Sequence, residues 1–69
     1  MESKLMNTLV EMIDENDAVV ITASFTDMAQ AEVFANVRLG GVTKNGFITL
    51  ARLSTEVDGE WVFHSEFEI

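Results

Sequence analysis

His64 is the only side chain in this sequence of a type that changes charge near neutral pH. Glu66 stands two residues on and could orient it as a general base. A base needs a nucleophile, and Ser54 and Ser65 stand in no recognisable motif, so His64 reads as a structural or surface histidine. There is no phosphate loop, dinucleotide fingerprint or metal-ligand spacing. With no cysteine and one histidine, thiolate chemistry and a multi-histidine metal site within one chain are both excluded. No catalytic residue, metal or cofactor is assigned, and an enzyme is the weakest function class.

The charges are more informative, because they are segregated. Residues 1–32 hold seven acids against Lys4, residues 33–55 hold Arg38, Lys44 and Arg52 with no acid, and residues 56–69 hold five acids with no Lys or Arg. The net charge of −8 is thus two acidic blocks around a basic middle. Such blocks attract an oppositely charged surface and repel nucleic acid and anionic membrane. Asp14, Glu15 and Asp17 form one candidate partner-binding cluster; the run lacks the glycine and distal glutamate of a calcium-binding loop. Glu66 and Glu68 form another, about 6.8 Å apart on an extended strand. DNA carries one charge per roughly 1.7 Å of its axis, so two blocks interrupted by arginines copy it too sparsely for full DNA mimicry.

These residues need elements to position them. Leu5, Leu9 and Met12, with Met6, Val10 and Ile13 beside them, predict an amphipathic helix over about residues 2–15. From Ala18 to Phe25 the apolar pattern alternates and predicts a strand rich in β-branched residues. Residues 26–39 read two ways. Thr26 or Asp27 could cap a helix that Gly40 ends, but a helical wheel scatters Val33 and Val37 away from Met28, Ala31, Ala35 and Leu39. The clean alternation of Val33, Ala35, Val37 and Leu39 favours a strand. Asn45-Gly46 and Asp58-Gly59 then mark two hairpins. Three-residue loops, pairing Thr43 with Phe47 and Glu56 with Glu60, put Ala51, Leu53, Trp61, Phe63 and Phe67 on one face; two-residue loops would set Arg52 and Ser54 among apolar side chains. The expected fold is α+β, a single domain over residues 1–69 with an N-terminal helix packed on a four-stranded antiparallel meander. The alternative makes residues 27–39 helical, in the order αβαββ.

In that register the uncovered face carries Arg38, Arg52 and His64 in one row, a candidate anion-binding group with Glu66 diagonal to Arg52. Facing arginines need an anion, a glutamate or open water; neutralisation by Glu66, Glu56 and solvent is the plainer outcome. Phe34, Ile48, Leu50 and Val62 share the face, and a contiguous apolar patch implies a covering surface. A chain of this size buries only about 60% of its unfolded surface, which adds to the expectation of self-association as a homodimer. No apolar stretch exceeds Ala18 to Ile21, far short of the roughly 20 residues of a membrane span, and the broken N-terminal run is unlike a signal peptide. With the absence of cysteine this fits the cytoplasm.

The function expected is a small acidic, non-enzymatic inhibitor or adaptor. It docks on a basic surface of a nuclease or nucleic-acid-binding protein, as mobile elements and phages encode against host defence, with Phe34, Leu50 and Val62 as apolar anchors. The alternative is a homo-oligomer binding a small anionic ligand near Arg38 and Arg52. Direct binding of nucleic acid or membrane is expected of neither.

Overall fold

A computed structural model describes residues 6–69. The elements are β1 (Thr8–Asp14), β2 (Val19–Phe25), α1 (Met28–Arg38), β3 (Val42–Thr43), β4 (Gly46–Val57) and β5 (Glu60–Glu68). All pairing is antiparallel. β1 lies between β2 and β4, and the other edge of β4 is taken first by β3 and then by β5. The α+β class is as expected, but the arrangement is ββαβββ, with the helix between strands and not at the N-terminus.

The helix expected over residues 2–15 is replaced by β1 from Thr8 onward; residues 2–5 of that expectation lie outside the described residues. The cause is position in the sheet. With β2 and β4 on its two edges, β1 buries or half-buries even Leu9 and Ile13 on the face away from α1, so its apolar residues run nearly unbroken and the helical and strand periods cannot be told apart. Val10 and Met12 meet the helix-side core, while Ile13 is buried on the other face between Leu50 and Val19.

Residues 28–38 form α1, the reading held as the alternative for this segment, and not the strand that was favoured. Asp27 caps it, its carboxylate accepting the Ala29 amide at 2.9 Å, a bond of about 1 kcal/mol in similar caps. The wheel misled because Val33 and Val37, which it put off the apolar face, do lie off it, at 64% and 70% exposure. The buried residues of α1 are the small ones, Ala31 and Ala35, which let its backbone settle close onto Val10, Met12, Ala51 and Leu53. Phe25, Phe34, Leu39 and Phe67 close the rim of this core.

Two loops are shorter than expected. Thr43 pairs with Gly46 and Val57 with Glu60, so both hairpins turn in two residues. At the second, Asp58 and Gly59 both have positive φ, 52° and 83°, the mirror-image turn that this dipeptide favours and that matches strand twist. The β1–β2 turn instead uses three residues and ends on Asp17 at φ 70°.

Three extra residues then adjust which side chains face the core. Val20 is extra in β2, Thr49 in β4 and His64 in β5, each where one step on a strand meets two on its neighbour. Thr49 turns Ile48 into the core, and His64 brings Phe67 back opposite Ala51.

Candidate functional site

The face of the sheet away from α1 is ordered in rows by these registers. Ser24, Leu9, Ser54 and Phe63 form one row; Thr22, Glu11, Arg52 and Glu66 form the next; Val19, Ile13, Leu50 and Glu68 form a third. Beyond the first row, Glu56 lies opposite Trp61, and its amide bonds the Asn7 carbonyl at 3.0 Å on the other side. Trp61 and Phe63, 48% and 59% exposed, therefore stand on this open face and not beneath the helix. Around them Glu56, Asp58, Glu60, Glu66 and Glu68 are all exposed.

The row of Arg38, Arg52 and His64 does not form. Arg38 is on α1, which covers the opposite face, and its guanidinium carbon sits 4.7 Å above the Phe34 ring. Phe34 is tilted against Phe25 with ring centroids 5.2 Å apart. That stack uses Phe34 in the helix–sheet seam, so it is not an anchor on the sheet face. Arg52 lies directly opposite Glu66 and pairs with it, Nε to Oε2 at 3.1 Å. Such an exposed pair contributes about 0–1 kcal/mol, and it answers the need for an anion from within the chain. His64 is the extra residue of β5, its Nδ1 2.9 Å from Ser65 Oγ. Among the described residues no carboxylate bonds the ring to orient it, and Glu66 is engaged with Arg52.

The expected apolar patch is also redistributed. Ile48 is in the core, Phe34 on the helix, and Leu50 half-buried beside Ile13 on the open face. Val62 pairs with Thr55 on the helix side of the sheet and is 46% exposed. Trp61, Val62 and Phe63 thus present apolar surface on both sides of one strand.

Asp14, Glu15 and Asp17 are brought together at the β1–β2 turn, but two of them bond within the chain. Asp14 is buried, and its Oδ1 accepts the amides of Asn16 and Ala18 at 2.9 and 3.0 Å. Glu15 exchanges bonds with Phe47: its amide donates to the Phe47 carbonyl, and its Oε2 accepts the Phe47 amide at 2.9 Å. Asp17 supplies the left-handed turn residue, a conformation Asp tolerates better than most.

At the end of the open face where β4 meets the turn into β5, a groove of about 310 Å³ is lined by Asn7, Ser24, Phe25, Thr26, Glu56 and Trp61. Two of these lining residues bond each other, Asn7 Nδ2 donating to Glu56 Oε1 at 2.7 Å. The sequence reading missed Trp61 because it gave the Asp58-Gly59 hairpin a three-residue loop. The signal was present in the dipeptide itself, which prefers two residues. Among the described residues no helix is long and apolar enough to cross a membrane. Comparison with protein-family models, curated proteins and solved structures finds no match to this chain.

Proposed function

We propose that this protein is a small acidic binding module, an inhibitor or adaptor that docks its β4–β5 hairpin on a basic surface of a nuclease or nucleic-acid-binding protein. The observation that carries this reading is the exposed run of Trp61, Val62 and Phe63 set among Glu56, Asp58, Glu60, Glu66 and Glu68. Aromatic side chains dominate interface energies, and charges around them govern the rate and choice of encounter. Arg52 is the one Lys or Arg of β4 and β5, and it is already paired.

Affinity capture at low and raised salt, with mass spectrometry of the retained proteins, tests it. A basic nuclease or nucleic-acid-binding protein retained at low salt, weakened by salt and lost from Trp61→Ala at both, is the expected result, because screening shortens the reach of charges but not of apolar contacts. Retention of neutral or acidic proteins alone, unaffected by salt, would sink it.

A further inference from the structure

We propose that the groove between Asn7, Ser24, Thr26, Glu56 and Trp61 seats an arginine side chain of the basic protein partner. This rests on the docking reading above and gives it a chemical address. The groove joins an indole and a carboxylate on directly opposed positions of β4 and β5. A cation over an indole face is attracted by the ring quadrupole, and Glu56 supplies the matching negative charge. Asn7 holds Glu56 Oε1, which fixes the carboxylate while Oε2 remains to accept from a ligand. Among the described residues no cation lies within ion-pairing distance of Glu56.

Three features select a guanidinium. It is planar and stacks on an aromatic ring, and its N–H donors spread in a fork. The residues that line the groove offer such a fork several acceptors, the Glu56 carboxylate and the hydroxyl-bearing Ser24 and Thr26. An ammonium group offers a compact, strongly hydrated charge and cannot stack. The volume of about 310 Å³ lies at the bottom of the range for small-molecule clefts, roughly 300 to 1,000 Å³, suited to one side chain. A phosphate or nucleic acid would meet Glu56 and the acids around it with the wrong sign.

Trp61 is the sole tryptophan, so its fluorescence reports directly on the groove. The probes are tetra-arginine, tetra-lysine and tetra-citrulline peptides, citrulline being the uncharged counterpart of arginine. Tetra-arginine should give a saturable change at low salt, tetra-lysine should bind several-fold more weakly, and tetra-citrulline should give none. Glu56→Gln, which can still accept from Asn7, should weaken tetra-arginine binding about tenfold. Glu68→Gln, with the same charge loss three rows away, should weaken it less than about twofold. Trp61→Leu should abolish the preference for arginine over lysine, read from amide NMR shifts.

Equal weakening by Glu56→Gln and Glu68→Gln would overturn the groove and leave the acidic docking reading standing. Binding of neither cationic peptide, to the wild type or to Lys4→Ala, would overturn the groove, while the docking reading falls only on the capture experiment above. Binding that appears only in Lys4→Ala would overturn the inference in favour of the chain's own lysine, which lies three residues before Asn7 in the sequence.

Discussion

Asp14 shows how a residue of one apparent purpose is used for another. As a sequence feature it belongs to an acidic cluster, yet it is 2% exposed and holds two amides of the β1–β2 turn. Its Oδ2 is buried and, among the described residues, accepts no hydrogen bond. Removing the side chain takes the shared acceptor from two part-buried turn amides, and a hydrogen bond to a charged group contributes roughly 1.5–3 kcal/mol. Asp14→Ala should therefore destabilise by about 2 kcal/mol in urea unfolding. Asp14→Asn keeps the Oδ1 acceptor and should cost under about 1 kcal/mol. If both variants unfold at the wild-type midpoint, the turn is held by something other than this carboxylate. The β4–β5 hairpin carries exposed acids as well, among them Glu66 and Glu68, which were legible as exposed alternating residues. Trp61 was not, because its face depends on the length of a loop.

The elements divide into those whose pattern is visible and those whose neighbours decide it. Strand β2 alternates polar and apolar residues and was readable. Strands β4 and β5 were readable as a hairpin around Asp58-Gly59, but their bulges leave no mark in a single sequence, since an extra residue looks like any other. α1 was legible through its Asp27 cap and helix-forming residues, but a helical wheel scatters Val33 and Val37, and the alternation of Val33, Ala35, Val37 and Leu39 imitates a strand. The contrast between its two sides can be measured. Ala35→Leu forces a large side chain into a fully buried site and should cost about 1–3 kcal/mol. Val37→Gln, on the exposed side, should change stability by less than about 0.5 kcal/mol. Thermal and urea unfolding read both, and equal effects would mean that α1 does not pack through its alanines.

The described residues span 42 × 22 × 15 Å, with a radius of gyration of 12.4 Å against about 11 Å for a compact domain of this length. The excess fits a sheet whose β4–β5 hairpin is long and whose β5 is mostly exposed. At net −8, two copies of this chain repel, whereas a basic partner is attracted. Salt must then act in opposite directions on the two kinds of association. In sedimentation experiments, self-association should be weakest at low ionic strength and increase with salt. Docking on a basic surface should instead weaken with salt. A dimer that dissociates as salt rises would show that the chain pairs through its ion pairs, with Arg52 and Glu66 the first to examine.

The extra residue at His64 separates two tasks along one strand. Before it, Trp61 to Phe63 follow the phase set by the two-residue turn; after it, Ser65 and Phe67 follow the phase of the core. Residues 60–63 lie outside the core cluster, so their side chains can be changed without asking the core to repack. Deleting His64 would leave both registers in place, since Phe63 would still meet Ser54 and Ser65 would still meet Leu53. What would go is the local bend and added twist that an extra residue gives a strand, and with it the angle at which Trp61 and Phe63 are held to the rest of the sheet.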